Sequence, residues 1–404
     1  MKNLLVAQSG GPTAAINATL YGVIKAATEN NVKKIYGARF GIKGVLNEDL
    51  IDLKERLNGE IELLKQTPAS ILGSCRFKLK NLEFEEEYEK ILNIFRKYDI
   101  GYFIYIGGND SMDTASKIAE YFKLKNVEDI FVIGAPKTID NDIEITDHCP
   151  GFGSAAKFVA TIFSELERDC SVYNVKAVTL VETMGRDAGW LTAASCLSRV
   201  NGFDGPSLIY LCEKEFSEEK FLTDIEEKLK EQNSVLVALS EGLKTKNGHH
   251  ILEDLQKENK KDMFGHKQNA GVAKHLEEIV RENLGCKVRS VELNTPQRAA
   301  AHIASKTDIL EASIVGEKAV EFALKGKTNV MVTILRKEAE NYEADYLFTE
   351  IKNVANRVKK IPEEFISETG TNLTKKAVSY LKPLIKGEPQ IKFENGIPLF
   401  VKIF

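Results

Sequence analysis

Lys137, Asp140 and Asp142, in the stretch Pro136-Lys137-Thr138-Ile139-Asp140-Asn141-Asp142, are the residues of this chain best suited to acid–base and phosphate chemistry. An aspartate beside an attacking hydroxyl can take its proton. A lysine ammonium can answer the charge of a moving phosphoryl group. Residues 130–135 ahead of them form a short apolar run that reads as a buried strand. The stretch therefore sits at a strand's carboxyl end, where open α/β sheets bind ligands. An isolated Asp-Asn-Asp tip would suit a solvated turn better, so the weight falls on its company.

That company is a set of strand ends bearing glycine or arginine. Residues 4–7 run into Ser9-Gly10-Gly11-Pro12, and residues 13–27 continue with helical spacing (Ile16, Leu20, Val23, Ile24). Residues 100–106 end in Gly107-Gly108-Asn109-Asp110-Ser111, with Ser111 as the expected helix cap. Residues 176–181 lead to Met184-Gly185-Arg186, residues 235–239 to Ser240-Glu241-Gly242, and residues 288–293, which hold Arg289, to Thr295-Pro296-Gln297-Arg298. Arg76 follows Leu72-Gly73-Ser74-Cys75. A strand, a glycine turn and a helix start expose backbone N–H groups to an anion, and a guanidinium grips phosphate oxygens two at a time. There is no GxxxxGK[ST] loop, no nucleophile elbow and no HxxxH spacing among six histidines. The inventory suits phosphoryl transfer, which needs positioning, cations and one base. Asp110 is an odd residue for a phosphate site, and Lys137 is the expected offset to its charge.

The elements that must position these residues alternate strand and helix with short loops. This pattern predicts an α/β fold with mainly parallel, doubly wound sheets, built twice so that two domains face each other. At 404 residues the chain has room for two or three domains. A formal charge of −4 gives no general attraction to nucleic acid or to a membrane surface. No apolar run approaches the ~20 residues of a membrane span. Six scattered cysteines without a CxxC pair read as reduced thiols, and the start lacks a signal-peptide pattern. Both point to a cytoplasmic protein. Residues 83–97 are expected to form a solvated helix, residues 243–269, with His249 and His250, an exposed excursion, and residues 398–404 a terminal strand.

GGNDS at 107–111, PKTIDND at 136–142, MGR at 184–186, SEG at 240–242 and TPQR at 295–298 together resemble the 6-phosphofructokinases, from Leu4 to about residue 305. ATP-dependent members carry glycine at the positions of Asp110 and Lys137. Pyrophosphate-dependent members carry Asp and Lys, as this chain does. The resemblance implies a fold of two Rossmann-like domains across a cleft. Residues 1–145 with roughly 296–350 would form the pyrophosphate domain, and residues 146–295 with part of the tail the fructose 6-phosphate domain.

It further implies Asp140 as base, with Lys137, Asp110 and Arg186 also catalytic. Gly10, Gly11, Arg76, Gly108, Asn109, Asp110 and Lys137 would hold pyrophosphate. Thr138, Ile139, Asp140, Met184, Gly185, Arg186, Glu241, Arg289, Thr295 and Arg298 would hold fructose 6-phosphate, with Arg289 reaching a neighbouring active site in a homodimer or homotetramer. Mg²⁺ would sit at Asn109 and Asp142. Two positions depart from the family pattern: Asn109 replaces an aspartate, and Thr295 a His or Tyr. An ATP-dependent phosphofructokinase that tolerates Asp110, and a sugar-phosphate sensor without catalysis, are the alternative readings.

Overall fold

The computed structural model describes residues 1–172, 174–199, 202–253 and 271–403. In chain order the main strands are β1 (Asn3–Gln8), β2 (Ile35–Ala38), β3 (Leu50–Asp52), β4 (Ile100–Gly107), β5 (Phe131–Pro136), β6 (Ala177–Thr183), β7 (Leu208–Tyr210), β8 (Ser234–Ser240), β9 (Lys287–Glu292), β10 (Val330–Arg336) and β11 (Ala344–Glu350). They divide between two units. One comprises Met1–Ser154, Arg298–Arg357 and Lys386–Phe404, the other Ala155–Gln297 and Val358–Ile385.

The first unit holds a seven-stranded sheet in the order β11-β10-β5-β4-β1-β2-β3. Its five inner strands run parallel, while β3 and β11 are antiparallel edges. Continuous apolar runs such as Leu4–Ala7 are wholly buried, as expected of strands covered by helices on both faces. The chain leaves β1 to one side for β2 and returns on the other for β4. The loops after β1 and β4 therefore flank a topological switch point, where such sheets place ligands. The second unit has the parallel order β7-β8-β6-β9. Here β8 and β6 are the inner strands, and the carboxyl end of β6 opens into Met184-Gly185-Arg186.

In the first unit, helix Ile16–Glu29 lies against helix Lys306–Leu324 with their backbones almost touching. A Cβ added at Gly22 would stand 1.9 Å from the Ser313 carbonyl oxygen, and one at Gly316 2.1 Å from that of Thr19. Gly22→Ala should destabilise the protein by about 1–3 kcal/mol through overpacking, although alanine is the better helix former by ~1 kcal/mol. A urea midpoint equal to or above wild type would contradict this contact.

Several expectations need correction. The helix after β4 begins at Asn109 with Gly108 as its cap residue, so Ser111 is not the cap. Ser111 is buried and packs against Gly107 instead. The helix of residues 83–97, realised as Glu85–Lys97, is not merely a solvated face: Tyr88, Ile91, Leu92, Ile94 and Phe95 are buried along one side. The exposed excursion expected over residues 243–253 is found only in part: residues 246–249, with His249, are exposed, whereas Leu243, Ile251 and Leu252 pack into the second unit's core. The rest of that expectation, residues 254–269, lies outside the described residues. The C-terminal segment docks through buried Val401 and Ile403, with Val401 N–H donating to Thr67 Oγ1 at 3.0 Å, but joins neither large sheet. No described helix is long and apolar enough to cross a membrane.

Candidate active site

The first unit gathers its cations at the switch point. Lys137 directly follows β5 and is 2% exposed. Gly10, after β1, holds a positive φ of 78°, and a Cβ there would fall 2.9 Å from Lys137 Nζ. The positive φ favours glycine here, and a larger residue would also displace the flexible end of the Lys137 side chain. Gly10 N–H donates to the Cys75 carbonyl at 3.2 Å and Ser74 Oγ donates to the Gly10 carbonyl at 2.6 Å, which ties the Arg76 loop to β1. Lys137 N–H donates to the Gly107 carbonyl at 3.1 Å. The Lys137 carbonyl oxygen would lie 3.7 Å from a Cβ at Gly108, and Arg298 NH1 3.8 Å from one at Gly11.

The electrostatics show the same grouping. Burial pushes the Lys137 ammonium down to about 8; Asp140 and Asp142 oppose that shift, whereas Arg76 and Arg298 add to it. Arg298 is itself lowered, by burial and by Arg76, against the pull of Asp140. Three cations and two carboxylates therefore feel one another's charge. A bound polyanion would relieve the repulsion among the cations and raise the Lys137 pKa.

The Asp140 loop is firmly built. Asp140 N–H donates to Thr138 Oγ1 at 3.0 Å, and Thr138 N–H to the Pro150 carbonyl at 3.2 Å. Asn141 is fully buried at φ 54°, and its Oδ1 accepts from Cys149 N–H at 3.0 Å. Ile139 is buried as well.

The pairing expected between Asp110 and Lys137 is not the one found. Asp110 occupies the exposed first turn of helix Asn109–Leu124 and pairs with Lys78 at 2.9 Å. Lys137 is buried and finds its counter-charges in Asp140 and Asp142. Lys78 is a residue the motifs did not single out. The alternation Arg76, Lys78, Lys80 was the available signal.

Asn109 donates its amide to the Arg357 carbonyl at 2.9 Å, and its Oδ1 is buried without a hydrogen-bond partner. Among the described residues no cluster of three or more His, Cys, Asp or Glu could hold a metal. An ion that takes most of its ligands from phosphate and water needs only one or two protein oxygens, and the orphaned Asn109 Oδ1 fits such a partial site.

In the second unit, Met184 N–H donates to Gln297 Oε1 at 3.1 Å and Gly185 N–H to Glu241 Oε1 at 3.1 Å. Burial raises the Glu241 pKa, opposed by the Gly185 N–H and by Arg186. Met184, Gly185, Arg186 and Glu241 are thus one hydrogen-bonded and charged group at the end of β6. Gln297, within TPQR but not singled out, holds Met184. Glu182 was missed too. It is 3% exposed, accepts from Ala273 N–H at 2.8 Å, and is pushed up to about 7 by burial. Thr295 and Arg289 are exposed, and Arg289 pairs with Asp169 at 3.4 Å.

Doubly wound α/β units with glycine turns, buried cations and strand-end carboxylates are the equipment of an enzyme that moves phosphoryl groups. The phosphofructokinase family model matches residues 3–323. The chain is 40% identical to a pyrophosphate–fructose 6-phosphate 1-phosphotransferase of Halomonas elongata, over 99% of this chain and 96% of that one. The crystal structure of a pyrophosphate-dependent phosphofructokinase from Nitrosospira multiformis superposes with a TM-score of 0.89 at 39% identity, covering 99% of this chain and 96% of that one. One from Marinobacter aquaeolei gives 0.88 at 38%, covering 100% and 96%. This chain belongs to the phosphofructokinase family, whose phosphoryl transferases generally need a divalent metal.

Proposed function

We infer that this chain transfers a phosphoryl group from pyrophosphate to the 1-hydroxyl of fructose 6-phosphate, giving fructose 1,6-bisphosphate and phosphate, in a reversible cytoplasmic reaction. The observation that carries the reading is the buried Lys137 ammonium against Gly10, with Asp140 and Asp142 as its counter-charges. We assign the residues of the first unit to the donor and to the reacting atoms. Gly10, Gly11 and Gly108 let pyrophosphate approach the backbone, and Arg76 and Lys137 take its charge. Asp140 accepts the proton of the sugar's 1-hydroxyl as that oxygen attacks phosphorus. Asn109 and Asp142 would hold Mg²⁺, whose charge offsets that of the phosphates when it is bound.

The residues of the second unit bind the sugar phosphate. Met184, Gly185, Arg186 and Glu241 are pre-organised by Gln297 and by the Glu241–Gly185 bond, Thr295 belongs to the same set, and Thr138, Ile139 and Arg298 of the first unit are assigned to the sugar phosphate as well. Arg289 reaches the 6-phosphate of a neighbouring subunit in a homodimer or homotetramer. The exposure of Arg289 and its weak exposed partner Asp169 support that role.

Asp110 sets the donor. A carboxylate held by Lys78 at the helix N-terminus meets the α-phosphate of a nucleotide with both bulk and like charge, whereas pyrophosphate stops short of it. Rates measured at saturating fructose 6-phosphate should show turnover with pyrophosphate and almost none with ATP. Replacing both residues, Asp110→Gly with Lys137→Gly, should admit ATP and lose pyrophosphate. A wild-type preference for ATP would refute the assignment.

A further inference from the structure

The loop that presents Asp140 returns to the sheet through a charged cluster that the reaction itself does not use. His148 is buried, its side chain 2% exposed, between two carboxylates of the first unit. Its Nδ1 lies 2.8 Å from Asp147 Oδ1 and its Nε2 2.6 Å from Glu311 Oε2. A neutral imidazole has one N–H and can satisfy only one of these acceptors; an imidazolium satisfies both. The groups around it complete the balance. Arg336 of β10 reaches Asp147 at 3.1 Å, and Tyr342 hydroxyl donates to Glu311 Oε1 at 2.5 Å. Asp308, on the same helix as Glu311, is buried and takes the Gly151 and Ser154 N–H groups at 2.8 and 2.9 Å.

The same cluster holds the backbone. Asp147 N–H donates to the Ile334 carbonyl at 2.8 Å, and Ile334 N–H to Thr146 Oγ1 at 3.0 Å. The residue after His148 is Cys149, whose N–H is held by Asn141 Oδ1, and Asn141 adjoins Asp140.

We propose that His148 is a positioning residue for Asp140: clamped between Asp147 and Glu311, it fixes the return arm of the loop and, through the Cys149–Asn141 bond, the place of the Asp140 carboxylate. This rests on Asp140 acting as the base. Burial alone would push the imidazole down, but the Glu311 charge and the Asp147 bond outweigh it and raise the pKa to about 9. The clamp is therefore protonated at neutral pH.

The test compares His148→Gln, Glu311→Gln and Asp140→Asn with wild type, each assayed well below its own melting midpoint. Displacing a reacting group by about 1 Å can cost 10²-fold. His148→Gln should lose roughly 10- to 100-fold in kcat, with KM for fructose 6-phosphate and pyrophosphate within about twofold of wild type. Glu311→Gln keeps an acceptor at His148 and should lose less, in kcat again; it serves if His148→Gln does not fold. Nitrogen NMR of wild type should show both His148 ring nitrogens protonated at pH 7. If the variants keep wild-type kcat while Asp140→Asn is inactive, the positioning role is wrong and the base stands. If Asp140→Asn is active, the base assignment fails and this inference fails with it.

Discussion

Asp140→Asn leaves a folded protein that still binds fructose 6-phosphate but turns it over roughly 10³–10⁴-fold more slowly. A positioned general base contributes 10²–10⁴-fold, and here the loss should fall toward the upper part of that range for a second reason. Asp140 also supports the charge on Lys137: it is the first of the two carboxylates that oppose the effect of burial there. An amide would leave the ammonium less basic while removing the proton acceptor. Calorimetry with fructose 6-phosphate and initial rates with pyrophosphate separate the two outcomes. A rate within tenfold of wild type would reject Asp140 as the base. Undetectable binding would move it from chemistry to substrate recognition.

Lys137→Met should be inactive with pyrophosphate and yet melt higher than wild type. Removing a preorganised charge at a developing anion costs about 10²–10³-fold. The stability gain follows from the depressed pKa of a buried ammonium. Its value is about 8 in the native protein against 10.5 ordinarily. Between those limits the unfolded chain binds the proton and the native protein does not, so wild-type stability rises with pH across that window. The penalty is present in full below about pH 8, and the gap between the melting points of variant and wild type should be widest there and close above pH 10.5. In the same way, wild-type kcat/KM for pyrophosphate should fall as pH rises through about 8, where the free enzyme loses this charge. A variant that melts lower at pH 7, or keeps its pyrophosphate rate, would show that Lys137 is a structural cation.

Much of this was legible because the relevant signals are local. Apolar runs ended by glycine predict β1, β4, β6 and β8, a run ended by Pro136-Lys137 predicts β5, and all five put the residues at their carboxyl ends on ligand-facing loops. What stayed hidden depends on contacts remote in sequence. The partner of Asp110 is Lys78, 32 residues back, and nothing in the GGNDS motif points to it. His148 and Glu311 are 163 positions apart. Read alone, His148 is one histidine between an aspartate and a cysteine; only the packing of helix Lys306–Leu324 supplies its second carboxylate. The exposed reading of residues 243–253 held for 246–249 but failed at Leu243, Ile251 and Leu252, where neighbouring lysines and histidines mask three residues that the core takes up. Ser111 failed as a cap because Gly107 leaves it room to turn inward.

The discontinuous first unit bears on how the chain must be made. Strand β5 is complete at residue 136, yet its outer neighbour β10 ends only at residue 336. Ribosomes add roughly 5–20 residues per second, so a nascent chain waits on the order of ten seconds or more with that edge unpaired. The helix that packs on Ile16–Glu29 is equally late. Most of the second unit, Ala155–Gln297, emerges as one uninterrupted stretch during that interval. Biosynthesis therefore favours the inner unit closing first, with the N-terminal half-sheet held open as an adhesive strand edge, and the Lys137 cluster assembles only when the last third of the polypeptide arrives.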